Sequence, residues 1–186
     1  MTNIKYLWLV ALFLVFAACE DGKYDGEIDP PVEVVSGDAD FSYMVSMGAS
    51  FVSGLSDGTL FINSQENSFP NIMAQQMALA GGGEFVQPLV DDNVGGLLFA
   101  GNVIAGPRLY FDGSGPTPVD GTPTTEVTNI IAGPFNNMGV PGAKSFHLVA
   151  PGYGNVAGVP QGLANPYFAR MASSANATVL GDAASQ

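Results

Sequence analysis

The sequence predicts an α/β fold in a single globular domain with long loops. Short apolar runs typical of strands alternate along the chain with segments whose apolar spacing is typical of helices. Glycine and proline occupy 24 and 13 of the 186 positions, well above average usage, which indicates extended loops. Hydrophobic residues make up 47% of the chain, so enough apolar surface is present to form a core.

The first predicted strand is Phe41–Met47, an apolar and aromatic run that is followed by glycine. The next predicted element is a helix with Ser68 or Asn67 as its N-cap, Pro70 in its first turn and Gly81–Gly83 as its end. Apolar residues of this helix recur at three- and four-residue spacings and are expected to form its core face: Phe69, Ile72, Met73, Met77 and Ala80.

The segment from Gly81 to Gly142 is rich in glycine and proline and predicts a long insertion of loops and minor strands. Its short apolar runs are the candidate minor strands: Gly96–Ala100, Leu109–Phe111 and Val127–Ala132. After the insertion, Ser145–Ala150 predicts a second main strand. Asn165–Ala175 predicts a helix that Pro166 helps to start.

The charge and cysteine content exclude several classes of function. The 17 acidic and 5 basic residues give a net charge of −12, which argues against a nucleic-acid partner because phosphate contacts require clustered Lys and Arg. The single cysteine rules out an intrachain disulfide and cysteine-rich zinc sites. The acidic cluster Asp91–Asn93 lacks the alternating ligands and distal Glu of an EF-hand, so it predicts a turn. No cofactor or metal site is indicated.

The N-terminus has the pattern of a secretory signal peptide over residues 1–18. Lys5 provides a positive charge, and Leu7–Ala18 is a run of consecutive apolar residues. As a helix this run would extend about 18 Å, which is too short to cross a hydrocarbon core of about 30 Å.

The only cysteine, Cys19, follows directly after this segment, and Phe16–Cys19 resembles a bacterial lipobox. That resemblance implies lipidation of Cys19, attachment to a lipid bilayer and a location in the cell envelope. An ordinary signal peptide that ends near a cysteine is the alternative. Residues 19–40 carry eight acids from Glu20 to Asp40 and predict a solvated acidic tether, although acidic residues after a lipidated cysteine also fit a surface-export signal.

A serine in a tight turn after the first strand is the main candidate for chemistry. Gly48 permits a sharp bend, and such a turn presents the Ser50 hydroxyl at the strand end. The run Tyr43–Gly54, together with Asp57–Gly58 and Ser68–Asn71, resembles the first block of the SGNH/GDSL hydrolases, in particular their bacterial lipoprotein branch. The resemblance implies that Ser50 is the nucleophile and that its backbone N–H is one oxyanion donor.

A second block supports the same resemblance. Asn137–Gly142 is similar to the Asn-x-x-x-x-Gly segment of that family, which implies that Gly142 supplies another oxyanion N–H. The family fold implied is a flavodoxin-like three-layer sandwich, and the implied activity is ester hydrolysis by acyl transfer to Ser50, without a cofactor. Two positions depart from the family pattern: Ala49 replaces Asp or Asn, and Phe51 replaces Leu.

The two later family blocks, Gly-x-Asn-Asp and Asp-x-x-His, have no match after Gly142. We therefore expect residues 41–186 to be the N-terminal portion of a longer hydrolase domain, with little activity on their own. His147, in the second strand candidate, is expected to be structural and not the general base. The alternative function is a non-catalytic cell-surface lipoprotein that binds a polymer or a protein partner.

Substitution of the cysteine tests the lipid anchor. Cys19→Ser should move the protein from the membrane fraction to the soluble fraction of a bacterial expression host, because the thiol that carries the lipid is lost. Immunoblotting of the two fractions measures this shift. Unchanged fractionation would contradict lipidation at Cys19.

Overall fold

A computed structural model describes residues 33–186. The predicted signal peptide, Cys19 and most of the predicted tether lie outside the described residues. Residues 33–40, the end of that tether, are mostly exposed and contain neither helix nor strand. Within the described part of the chain, no helix has both the length and the apolar character needed to cross a membrane.

Short helices and strands alternate along this part of the chain. In order, they are β1 (Ser46–Gly48), α1 (Ser50–Ser53), α2 (Ile62–Glu66), α3 (Phe69–Ala78), β2 (Leu97–Phe99), β3 (Asn102–Ala105), β4 (Leu109–Phe111), β5 (Pro116–Pro118), β6 (Asn137–Gly139), two 3₁₀ helices (Ser145–Val149 and Val156–Gln161), α4 (Pro166–Met171) and α5 (Val179–Ala184).

The strands form three separate pairs within residues 33–186: β1 with β6, β2 with β3, and β4 with β5. The pairing of β1 with β6 is parallel, whereas the other two pairs are antiparallel. The predicted mixture of helices and strands is confirmed. The three pairs do not join into one sheet in the described residues, so the structure supports a mixed α/β fold without supporting a specific sandwich.

The parallel pair brings two distant segments of the chain together. Ser46 lies opposite Asn137, and Gly48 lies opposite Gly139. The pair continues at its carboxyl end, where the Val140 N–H donates to the Gly48 carbonyl over 2.8 Å. Because the strands are parallel, the residues that follow each of them emerge at the same edge.

The main core lies between β6, α4 and α5. Its buried side chains are Phe135, Met138, Val140, Phe168, Met171 and Val179. A second cluster contains Leu97, Val127 and Ala169. Helix α4 therefore contributes to both clusters, through Phe168 and Met171 on one side and Ala169 on the other.

Two strand predictions need correction in length or type. Phe41–Met47 forms a ladder only from Ser46, because the partner strand β6 is three residues long. Val127–Ala132 is not a strand, although the Val127 N–H donates to the Leu98 carbonyl over 2.9 Å in an isolated contact.

The predicted strand Ser145–Ala150 is also wrong, since Ser145–Val149 forms a 3₁₀ helix. The Lys144 N–H donates to His147 Nδ1 over 3.1 Å, which closes the first turn of that helix. A short apolar run fits a helix as well as a strand, so its periodicity does not distinguish the two.

The helix after Ser68 is confirmed, with Pro70 in its first turn, but it ends at Ala78, before Ala80. Of the predicted core face within the helix, Met77 is half-buried and the other three residues are exposed. Phe69, Ile72 and Met73 are exposed by 37%, 46% and 44%. The helix instead buries Pro70 and Ala74, which lie on a different face at i, i+4 spacing. The predicted helix at Asn165–Ala175 is confirmed from Pro166 but ends at Met171.

The close approach of α1 to β6 depends on Gly139. A Cβ atom on this residue would lie 2.4 Å from the Ser53 backbone nitrogen and 2.7 Å from the Val52 carbonyl carbon. A side chain therefore cannot be accommodated there unless the backbone of α1 moves.

Replacement of this glycine should destabilise the fold. Gly139→Ala should lower the free energy of unfolding by about 1–3 kcal/mol, because the methyl group forces backbone atoms apart. Gly106→Ala is the matched control, since a Cβ there meets no atom within 4 Å, and it should change stability by less than about 1 kcal/mol. Urea unfolding measures both, and equal effects would contradict the proposed close packing.

Candidate active site

Ser50 is the first residue of α1, and Ala49 alone separates it from the end of β1. The chain turns immediately after it: the Ser50 carbonyl accepts hydrogen bonds from Ser53 Oγ at 2.8 Å and from the Leu55 N–H at 3.0 Å. This closed turn fixes the backbone of Ser50 and leaves its half-buried hydroxyl at the carboxyl end of the strand pair.

The hydroxyl of Ser50 meets the second residue selected from the sequence. The Gly142 N–H donates to Ser50 Oγ over 3.1 Å. The two residues are brought together because β1 and β6 are parallel and end at the same edge. The structure thus brings together the two site residues that the sequence motifs indicate.

Gly142 occupies the third position of a tight turn, Val140–Ala143. The Ala143 N–H donates to the Val140 carbonyl over 3.1 Å, and Gly142 has a φ of +75°. Proline fixes a negative φ at the second position, so Pro141 and Gly142 together define a type II turn. Glycine is favoured at this position because residues with a Cβ rarely adopt that φ.

Asn137 connects the strand pair to α1. Its Nδ2 donates to the Val52 carbonyl and to Gln87 Oε1, both at 3.0 Å. Its Oδ1 accepts from the Gly139 N–H, also at 3.0 Å. The side chain is buried, so these bonds replace its contacts with water. The sequence motif begins at Asn137, but the motif alone gives no indication of this connecting role.

His147 makes its hydrogen bond and its ring contact with residues other than Ser50. Its Nδ1 accepts from the Lys144 backbone, and its ring stacks on Tyr153 with 4.3 Å between ring centroids. Within residues 33–186, no hydrogen bond joins His147 to Ser50. The structure therefore gives His147 a packing role in its 3₁₀ helix.

An exposed aromatic pair adjoins Ser50 in the sequence. Phe51 is 79% exposed and stacks on Phe69, with 4.8 Å between ring centroids. These rings give the N-terminal ends of α1 and α3 an apolar surface. An apolar group of a ligand bound at Ser50 would find contact area there.

The acidic cluster Asp91–Asn93 is used in contacts within the protein. Asp92 accepts from the Gly95 N–H at 2.7 Å and from the Thr124 N–H and hydroxyl. Partial burial raises the pKa of Asp92, but these hydrogen bonds outweigh it and leave the pKa below its usual value.

Asp91 pairs with the buried Arg170 at 3.4 Å. Across residues 33–186, no three His, Cys, Asp or Glu side chains group as metal ligands.

Comparison of the chain with known protein families, with curated proteins and with solved structures found no match.

The connecting role of Asn137 can be measured by a pH-dependent loss of stability. Asn137→Asp keeps the oxygen that faces Gly139 but removes both donors and buries a charge, so it should cost about 2–4 kcal/mol at pH 7. Burial raises the folded-state pKa of the new carboxyl above its unfolded value. The part of the loss that the charge causes is therefore small near pH 4, close to the unfolded-state pKa, and grows as the pH rises toward 7.

The exposed Asn129 provides the control for this substitution. Asn129→Asp should change the free energy of unfolding by less than about 0.5 kcal/mol at either pH. The comparison requires urea unfolding of wild type and both variants at pH 4 and pH 7. A loss for Asn137→Asp that is small, or that does not depend on pH, would contradict the connecting role.

Proposed function

We propose that residues 41–186 are the N-terminal part of a serine ester hydrolase of the SGNH/GDSL type, with Ser50 as the nucleophile. The observation that carries the proposal is the 3.1 Å hydrogen bond from the Gly142 N–H to Ser50 Oγ. Two separate sequence motifs select these residues, and their convergence at one strand edge is the arrangement that acyl transfer requires.

In the proposed reaction, Ser50 Oγ attacks the carbonyl carbon of an ester. The alcohol leaves, and water then hydrolyses the acyl-serine. The oxygen of the tetrahedral intermediate lies on the carbon bonded to Oγ, so a donor next to Oγ is within reach of it. The backbone N–H groups of Ser50 and Gly142 would stabilise this charge, and one such donor contributes about 10²–10³ in kcat.

The proton of Ser50 must pass to a general base for the attack to be efficient. The hydrogen bonding of His147 does not support it in that role. We assign the base and a third oxyanion donor to the later family blocks of a longer chain. Residues 1–186 alone are then expected to be nearly inactive.

The finer fold belongs to the same proposal. The candidate nucleophile lies at the carboxyl end of a parallel strand and a helix follows it directly. This strand–helix order is the one found in a flavodoxin-like sandwich. Lipidation of Cys19 would hold this domain at a membrane of the cell envelope. The exposed Phe51 and Phe69 favour an ester with an apolar group as substrate.

A non-catalytic role is the second candidate. The exposed apolar face of α3, formed by Phe69, Ile72 and Met73, favours contact with a protein partner. Such a role requires neither the Ser50 hydroxyl nor its contact with Gly142. Activity that depends on Ser50 therefore distinguishes the two candidates.

The test is hydrolysis of a chromogenic short-chain ester by the longer chain that this proposal requires. We expect turnover that falls at least about 10³-fold in Ser50→Ala, because the nucleophile is removed. Ser56→Ala, at an exposed serine of the following loop, should retain full activity. Residues 1–186 should show negligible activity in the same assay.

Two results would overturn parts of this proposal. Activity of the extended chain that survives Ser50→Ala would remove Ser50 as the nucleophile. Strong Ser50-dependent turnover by residues 1–186 would contradict the assignment of the base to later blocks and would return His147 to consideration.

A further inference from the structure

The peptide unit between Pro141 and Gly142 is held from both sides. Its N–H donates to Ser50 Oγ at 3.1 Å, and its carbonyl accepts from Asn165 Nδ2 at 2.8 Å. A trans peptide is planar, and its C=O and N–H point in opposite directions. A bond that fixes the carbonyl therefore also fixes the direction of the N–H.

The turn sequence by itself favours the type II orientation, because glycine at the third position readily adopts a positive φ, but it does not exclude type I. Types I and II differ mainly in the orientation of the central peptide, and proline is favoured at the second position of both. Gly142 has no side chain to exclude either form. In a type I turn the Gly142 N–H would point away from Ser50, so a contact from outside the turn that holds the central peptide adds to the preference of the sequence for type II.

Asn165 is well placed to provide such a contact, because its own orientation is fixed. Its Oδ1 accepts from the N–H groups of Tyr167 and Phe168 at 3.0 and 3.1 Å, which makes it the N-cap of α4. Phe168 is fully buried in the main core. With the amide oxygen held by α4, the amide nitrogen must face Pro141.

The second hydrogen of this amide is also bonded. Asn165 Nδ2 donates to the Tyr153 hydroxyl at 3.1 Å, and the Asn165 N–H donates to the Tyr153 carbonyl at 2.8 Å. Partial burial raises the pKa of Tyr153, so the phenol stays neutral at physiological pH. The His147 ring stacks on the Tyr153 ring and so helps to hold Tyr153 in place.

We propose that Asn165 is a positioning residue, which holds the Pro141–Gly142 peptide in the type II orientation and so directs the Gly142 N–H toward Ser50. Its catalytic consequence rests on the proposed function, since only in an ester hydrolase does this N–H stabilise an oxyanion. The orientation itself can be measured without any activity.

The variant that isolates the contact is Asn165→Asp. It keeps the oxygen that caps α4 but removes both amide donors, so the Pro141 carbonyl loses its partner. Asn165→Ser is a second variant with a good N-cap and too short a side chain to reach Pro141. Asn155→Asp is the matched control, because Asn155 caps the 3₁₀ helix Val156–Gln161 in the same way, through the Ala157 N–H at 3.0 Å.

The structural readout is the nuclear Overhauser effect between Pro141 Hα and the Gly142 amide hydrogen, recorded on the 186-residue chain in detergent micelles. These hydrogens are close in a type II turn and farther apart in a type I turn. We expect the effect to fall at least about twofold in Asn165→Asp and Asn165→Ser, with a shift of the Gly142 amide resonance. Asn155→Asp should leave both unchanged.

The catalytic readout uses the longer chain that the proposed function requires. Asn165→Asp should lower kcat about 10- to 100-fold and leave KM nearly unchanged, because the oxyanion contact is made in the transition state. Asn155→Asp measures what the same substitution does at another helix N-cap. A general effect of that substitution on capping would appear in both variants and would not change the Gly142 signal selectively.

An unchanged Gly142 signal in both Asn165 variants would overturn the positioning role. A changed signal with unchanged kcat would overturn its catalytic consequence. If the extended chain shows no Ser50-dependent hydrolysis, the proposed function fails, and the Overhauser measurement still decides the orientation of the peptide.

Discussion

The parallel pairing of β1 with β6 is the interaction on which the candidate site depends. It joins only three residues of each strand, yet it brings Ser50 and the turn at Gly142 to the same edge. Gly139 allows α1 to lie directly against β6, since any side chain there would meet the α1 backbone. A shift of this pairing would separate the hydroxyl from the N–H, because each follows its own strand by a few residues.

Buried and half-buried amides hold this arrangement in place. Asn137 joins β6 to α1, and Asn165 joins the Gly142 turn to α4. Each uses its oxygen and its nitrogen at the same time, so neither amide can rotate without losing bonds on both sides. The site is thereby connected to the main core through Phe168, and the aromatic stack of His147 on Tyr153 becomes part of that connection.

The sequence predicts local features well and tertiary contacts poorly. Ser50 and Gly142 could be selected because each follows a recognisable local motif, and the start of α4 follows from Asn165 and Pro166. The face that α3 buries could not be predicted, because an apolar stripe does not show what covers it. The run Ser145–Ala150 is too short for the periodicity of its apolar residues to distinguish a strand from a helix. The contact between Asn165 and Pro141 depends on tertiary packing, which no local pattern indicates.

The most direct test of Ser50 as a nucleophile is covalent labelling with a fluorophosphonate, which forms a phosphorus–oxygen bond to an activated serine and releases fluoride. The label is applied to the longer chain that the proposed function requires, and peptide mass spectrometry locates the adduct. A single adduct on Ser50, lost when an ester substrate competes, is the predicted result. Labelling of another serine, or no adduct on a chain that hydrolyses esters, would contradict the assignment of Ser50.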